Sequence, residues 1–504
     1  MAEALDAVSP RPGDQQLKRS VGVLSLFSTA YGNVGSSIYY ALGLVAAHAL
    51  GLTPLVFLFA GGLFALTAKT YAEGATMFPE AGGSSSFARH GFNEVVSFVA
   101  GWALMLDYVI TIAISAFFVP HYLGGLELFE SLADHPGDVI AGVAVVALLA
   151  AINVRGLGRS AALNSGLALL DIATQVAIIG LGAVLVLSPE QLVDQIDLGV
   201  APTWSELVFA VSISMVAYTG IETIANMAEE ERDPSRDVPR AANGVVIAVI
   251  GLYLGITVIA LSALPVTEGT GGGYTTELGT TFEDDPILGI VSALDLGFLE
   301  PIAKAYVGVL AGTILFIAAN AGLIGISRLS WSLAEHHQLP GAFARLFGRG
   351  RTPAIAIVVS AALAIVLILP GEATLLGNLY SFGALLSFTI AHVSLVALRY
   401  REPDHERPYR APWNVRLRGQ YVSLTAVLGG IGTFGAWVSL VILHAPARYV
   451  GLGWMTIGIA GYLVYRRRLG VDPRRIHRRG LAPPDHLPRF TRERRTPRRR
   501  RVDA

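Results

Sequence analysis

The chain has 504 residues, of which 53% are hydrophobic and only 15% charged, with a mean hydropathy of +0.55 and a formal net charge of −1. A soluble protein of this size carries about a quarter charged residues and divides into two or more domains, so the composition excludes an ordinary water-soluble fold. The absence of cysteine excludes a disulfide-linked partner subunit; the net charge says nothing about nucleic acid, because the charges are strongly segregated along the chain, and no nucleic-acid partner is expected.

The polar segment 1–20 carries no cleavable-signal pattern and reads as a cytoplasmic N-terminal segment. After it, apolar runs such as Leu207 to Ala228, Val245 to Leu264 and Leu424 to Leu443 recur at the length that crosses a hydrocarbon core about 30 Å thick. The pattern predicts an all-α polytopic membrane protein of about twelve transmembrane helices. They are expected near 21–49, 53–78, 95–121, 138–154, 164–187, 205–229, 241–264, 301–326, 353–370, 375–399, 421–443 and 448–466. The Gly-rich stretch from Val266 to Pro301 is too polar to span, and its part from Pro286 to Leu299 is expected as a short helix along the surface.

Basic residues divide the connections into two classes. One class holds Lys18 and Arg19, Arg89, Arg155 and Arg159, Arg232, Arg236 and Arg240, Arg345, Arg349 and Arg351, the run from Arg399 to Arg418, and the tail. The other class holds Lys304 and Arg448, with the acidic stretches Glu127 to Asp138 and Glu277 to Asp285. Arg and Lys near span ends stay cytoplasmic, so both termini are expected inside a cell (inner, cytoplasmic) membrane. The Arg-rich segment 467–504 reads as a cytoplasmic tail within reach of anionic membrane lipid.

Two spans are interrupted. The first carries Gly32-Asn33-Val34-Gly35-Ser36-Ser37 at its centre, and the sixth carries Ala217-Tyr218-Thr219-Gly220-Ile221-Glu222. Backbone that leaves the helix at membrane depth must be buried in protein or line a wet cavity. The two starts are five spans apart, an odd number, which inverts one half of the chain against the other. Breaks in corresponding places of inverted halves point to a binding site at their interface, where half-helix N-termini suit a substrate carboxylate. Alternatively, Gly32, Gly35 and Ser36 serve only close helix packing.

Ionisable groups at bilayer depth are costly and are functional candidates by default. Glu222 follows the sixth-span break and is either a proton site or a helix-anchoring acceptor. Asp107, in the third span, either meets a cationic group of the cargo or holds a neighbouring helix. Lys69 either snorkels to the interface or pairs with an acid such as Asp171. Asn320, with Thr313 and Ser327, offers neutral oxygens for a cation or for neighbouring helices. His48, His121, His392 and His444 read as interfacial or structural.

The run Gly32 to Ile38 with Gly43 resembles the first-span glycine motif of the amino acid–polyamine–organocation (APC) superfamily of permeases. Tyr71-Ala72-Glu73 through Phe78-Pro79-Glu80-Ala81-Gly82-Gly83-Ser84 resembles that family's inner end of the second span. Ala217 to Glu222 running into Glu229 to Ala241 resembles its sixth span and the following loop. Ser327-Arg328-Leu329, Leu339-Pro340 and Thr352-Pro353 resemble its segment between the eighth and ninth spans. The likeness runs in order over residues 20 to 465. It implies a 5+5 inverted-repeat core, with halves at 21–187 and 205–399 and two additional helices over 421–466. It further implies secondary active transport of an amino acid or amine, coupled to a proton or sodium ion or to exchange. In that picture the amides around Gly32 to Ile38 hold a carboxylate, the carbonyls near Ala217 to Gly220 receive an ammonium, and Tyr218 gates the site. Glu222 matches an acidic position in that family. Some proton-coupled relatives place a lysine where Asp171 stands; the charge is reversed here, which departs from a lysine-based coupling scheme and leaves open a cation held by Asp171.

A polyamine or an inorganic cation such as potassium is the alternative cargo, since Asp107, Glu222 and Asp171 suit a cation. No metal cluster, cofactor motif, ATPase domain or nucleophile set is legible, so no cofactor and no enzyme activity are expected.

Overall fold

The computed structural model describes residues 22–126, 131–156, 161–228, 231–269, 273–347 and 352–475. Segment 1–20, Arg159, Glu229, Glu230, Arg349, Arg351 and the tail from 476 onward lie outside the described residues.

The first apolar run folds as α1 (Val23–Gly35) and α2 (Ile38–Ala49), followed by α3 (Thr53–Met77). A short α4 (Ser84–Gly91) leads into α5 (Glu94–Gly124), α6 (Gly137–Val154), α7 (Ala161–Leu185) and the short α8 (Pro189–Asp194). The sixth run is split into α9 (Trp204–Ile213), a 3-10 turn over Ser214–Tyr218, and α10 (Glu222–Met227). Then come α11 (Pro234–Ala263), α12 (Pro286–Ala293), α13 (Glu300–Glu335), α14 (Ala354–Ile368), α15 (Ala373–Arg401), α16 (Leu424–Leu443) and α17 (Leu452–Arg468). Two small antiparallel hairpins, β1 (Val266–Glu268) with β2 (Tyr274–Thr276) and β3 (Asn414–Leu417) with β4 (Gln420–Ser423), sit in the loops.

Among the described residues, nine helical stretches are long and apolar enough to cross a membrane, the first of them, Val23–Met77, holding α1 to α3. The helices lie where the apolar runs place them. The physical reason is the backbone: in hydrocarbon every amide must be satisfied within its own helix. A few helix starts are fixed by side-chain caps. Asn93 accepts from the amides of Val95 and Val96 to open α5, and Thr203 with Glu206 forms a capping box for α9.

α5 is the central column. It packs against α13, α15, α6 and α4, and nearly all its residues are buried, whereas α6, α7 and α16 keep an apolar face outward. Large exposed side chains such as Val184, Ile431 and Ile442 are ordinary on such a face, because the surrounding medium is itself apolar.

Two expectations are corrected here. The helix expected along the surface at Pro286 to Leu299 is instead buried from Pro286 to Val291 and packs against α2, α11 and α13. Its Ile287, Leu288, Ile290 and Val291 require an apolar seat, which a surface position would deny them. Ser327-Arg328-Leu329 lies inside α13 rather than in a connection, because that helix runs on to Glu335.

At one end of the bundle, buried ion pairs fasten the helices. Glu73 on α3 accepts from Arg399 Nη2 at 2.7 Å and from the amide of Ala411 at 2.7 Å, and its other oxygen lies 3.5 Å from Arg407 Nε. The Phe78 to Ser84 segment turns on Gly82 (φ +140°) and Gly83 (φ +50°), conformations that side chains rarely adopt. Gly82 donates to Asn226 Oδ1 and Ser332 donates to the Ala81 carbonyl, joining this loop to α10 and α13. Burial works against ionisation of Glu80, yet His90, Arg89 and Ser86 hold its carboxyl well below the usual range.

Candidate functional site

The two interruptions meet. Asn33 Nδ2, at the end of α1, donates to Thr223 Oγ1 at the start of α10, 3.0 Å away. An added Cβ on Gly220 would sit 3.0 Å from both Asn33 Nδ2 and Val34 Cγ2, so the side chains of the first break press on the Gly220 backbone, where a side chain would be crowded. Gly220 has φ +113°, outside the range of ordinary L-residues.

The two breaks differ in depth. In the sixth run the 3-10 turn is followed by Thr219 in extended conformation and then by Gly220 and Ile221, before helix resumes at Glu222. Ala217 and Tyr218 belong to the 3-10 turn. In the first run Ser36 and Ser37 keep helical angles (φ −65°, ψ −19° and φ −69°, ψ −20°). Only the hydrogen-bond ladder is interrupted there, and its groups are taken up locally. Tyr253 of α11 lies 2.5 Å from the Val34 carbonyl, and the Ile38 amide bonds the same hydroxyl. Ser37 N donates to Val34 O, Tyr39 N to Ser36 O, and Ser36 Oγ to Asn33 O. Gly35 is tight: an added Cβ would lie 2.6 Å from the Tyr31 ring. Gly32 is open, with nothing within 4 Å of an added Cβ.

Asp107 stands on α5 with 0% exposure, and neither carboxylate oxygen has a hydrogen-bond partner. It interacts electrostatically with Glu222, and Tyr40, Tyr71, Tyr108 and Tyr380 lie within electrostatic reach of it. Ser37 Oγ pairs with Tyr40 OH at 2.7 Å, which brings this ring of hydroxyls up to the first break. Glu222 uses one oxygen to accept from the Gly220 amide at 3.0 Å, closing the end of the unwound segment. Two buried acids therefore interact with each other beside the break. An isolated buried carboxylate is costly unless something cationic or hydrogen-bonding meets it.

Asp171, on α7, is fully buried and saturated. Tyr31 OH and Gln175 Nε2 each donate to Oδ2 at 2.8 Å, and Tyr39 OH donates to Oδ1. Tyr31 is on α1 and Tyr39 on α2, so one carboxylate ties together both sides of the break. Lys69 does not meet it: its ammonium donates to Asn243 of α11, and the side chain is half-buried. Asn320 accepts from Asn153 Nδ2 of α6 at 2.6 Å, while Thr313 and Ser327 bond carbonyls of their own helix. Tyr218 points at α3, donating to the Phe57 carbonyl at 2.7 Å and packing on Phe57, Phe64 and Tyr253. His392 is buried between Thr67 and Thr70, a structural position.

The sequence reading did not single out Tyr31, Tyr39 or Tyr253. The signal for Tyr31 and Tyr39 was a tyrosine, an apolar ring with one hydrogen-bonding tip, on each side of a Gly-rich break, which forces the hydroxyl to find a partner inside the protein; Tyr253, within α11, carried no such signal.

Comparison with known proteins gives a consistent picture. The family model described as "Amino acid permease" matches residues 21–460. The chain is 24% identical over 490 residues to the methylthioribose transporter of Bacillus subtilis (strain 168), covering 92% of this chain and 97% of that protein. It is 23% identical over 483 residues to the branched-chain amino acid permease BcaP of the same organism, covering 92% and 96%. It is 25% identical over 437 residues to the low-affinity putrescine importer PlaP of Escherichia coli (strain K12), covering 84% and 88%.

Proposed function

Because this chain belongs to the amino acid permease family, and is therefore a multi-pass membrane transporter of the APC superfamily, we propose that its cargo is an amino acid carrying an additional cationic group. The carrying observation is Asp107, a fully buried carboxylate with no partner, set beside Glu222 at the meeting of the two breaks. A guidaninium or second ammonium meets Asp107, the α-ammonium meets the carbonyls of Ala217 to Gly220, and the carboxylate meets backbone amides of the first break between Gly32 and Ile38. Alternating access then proceeds between two inverted halves, 21–187 and 205–399, with 421–466 appended and both termini on the cytoplasmic side of the cell membrane.

Glu222 is the proton-exchanging group in this reading, because it alone links the unwound backbone to the acid pocket. Transport is proton-coupled or by exchange. Asp171 holds the first break and binds no cation, since tyrosine and glutamine donors already occupy both its oxygens. Lys69 and Asn320 carry no coupling role, being engaged by Asn243 and Asn153.

A second reading, a polyamine cargo, is favoured by one observation. The amide of Ile38 and that of Ser37 are both spent on local bonds, which weakens the case for a bound carboxylate, and one relative is named a putrescine importer. Uptake into proteoliposomes under an imposed proton gradient separates the readings. Labelled arginine, lysine, putrescine and leucine are offered in turn. Arginine or lysine uptake that unlabelled leucine does not compete supports the first reading, and putrescine alone supports the second. Transport of leucine with no response to cationic competitors would overturn both.

A further inference from the structure

Between α7, α12 and α13 lies a crevice of about 270 Å³, outside the acid pocket and separate from the two breaks. Its floor is made of the small residues Ala173 and Ala177 on α7, its walls of Val291 and Leu294 at α12, and its far side of Tyr306 on α13. The mouth opens on a face where Leu170 and Leu181 are 43% and 47% exposed, among helices of membrane-crossing length. What reaches that mouth is hydrocarbon.

The polar atoms of the crevice ask for nothing. Thr174 Oγ1 donates to the Leu170 carbonyl at 2.9 Å, so the contact of 2.7 Å with Tyr306 has the phenol as donor. With both hydroxyl protons spent, the lining offers an incomer apolar surface. A polar ligand would have to break that pair in a medium without water to compensate. A transmembrane helix from another chain is about 10–12 Å across with its side chains, so it would place only single side chains in a space this small. We propose that the crevice is a binding site for one acyl chain of a bilayer lipid. Lipid tails are as apolar as the lining, so retention comes from dispersion contact with a concave wall and not from escape from water.

The position gives the site a consequence. Thr174 lies three residues beyond Asp171 on α7, and Tyr306 is within electrostatic reach of Tyr39, which holds Asp171. A chain lodged there braces α7 against α12 and α13 beside the group that clamps the first break. Transport should respond to what fills the crevice.

The test uses the full-length protein in liposomes doped with phosphatidylcholine carrying a diazirine on one acyl chain. After illumination the adducts are mapped by mass spectrometry. Labelling of residues 170–181 and 303–307 is expected to exceed several-fold that of the exposed α16 face at Ile431, Phe434 and Ile442. Ala177→Phe, which fills the floor, should reduce the α7 labelling several-fold and leave α16 unchanged. If that variant fails to fold, Ala303→Phe fills the crevice from the opposite wall. Even labelling of all outward faces, or undiminished α7 labelling in the filled variant, would overturn the proposal, as would a co-purifying polypeptide crosslinked there in place of lipid.

Discussion

The hydroxyl of Tyr253 lies 2.5 Å from the carbonyl oxygen of Val34, so a side chain of α11 occupies the ladder position that the break in the first run leaves open. The same hydroxyl takes the Ile38 amide, and one phenol therefore splices α1 to α2. Tyr253→Phe keeps the ring and removes the splice. The Val34 carbonyl keeps its bond from the Ser37 amide, so the Ile38 amide is the group left orphaned, at about 1–3 kcal/mol. The variant should unfold at lower temperature in detergent and transport more slowly. An unchanged melting curve would mean that the splice contributes nothing.

Asp107 gives a sharper test, because stability and activity should move in opposite directions. Its carboxylate is buried without a partner, so Asp107→Asn removes an unfavourable charge and should leave melting unchanged or raised. A charge-assisted hydrogen bond to a cationic cargo contributes about 1.5–3 kcal/mol, so KM for that cargo should rise by roughly ten-fold or more. A variant that is both destabilised and kinetically normal would show that Asp107 only holds a neighbouring helix.

How much of this was legible in the sequence differs by residue. The helix positions were, because hydrocarbon forces runs of a fixed length and loops of another composition. The two breaks were legible because Gly35 and Gly220 stand in otherwise apolar helices, and the structure brings them together through Asn33 and Thr223. The depth of the breaks was not: glycine permits an unwound backbone without requiring one, and Tyr253 decides that the first stays nearly helical. The partners of Asp171 and Lys69 were hidden too. They are set by helix rotation, which fixes Tyr31 and Tyr39 on one acid and Asn243 on the lysine, and one sequence carries no measure of that rotation.

Asp171→Leu should be among the most damaging single changes in the membrane-spanning part. It would strand three buried donors, Tyr31, Tyr39 and Gln175, each at about 1–3 kcal/mol. Asp171→Asn keeps one acceptor and should lose less. If Asp171 held a transported or coupling cation instead, both variants would fold normally and differ from the parent only in ion dependence, which thermal unfolding with and without sodium distinguishes.

Glu73 makes the strongest fastening at the α3 end. Glu73→Gln leaves Arg399 and Arg407 facing each other in a buried site without their anion. Removing one partner of such a set costs about 3–5 kcal/mol. The variant should be recovered poorly from membranes, and a companion Arg399→Met in the same chain should restore part of the yield. No restoration would mean that the loss arises elsewhere, for instance at the Ala411 amide.

The acidic stretch before α12 predicts a dependence on pH with a defined sign. Burial, then the neighbouring Asp284, pushes the Asp285 carboxyl up to about 6, and Glu283 and Asp284 are raised as well. An aspartate in the unfolded chain titrates near 4, so between about pH 4 and pH 6 the docked segment binds more protons than the undocked one. Docking is therefore firmest below that window and weakens as pH rises through it. Glu283 presses its backbone on Gly43 of α2, so looser docking frees α2. Hydrogen exchange of residues 280–288, corrected for intrinsic rates, should be slower near about pH 5 than near about pH 7.5. Protection that grows with pH would show that the carboxylates are docked as anions, with Lys304 or His121 outweighing burial.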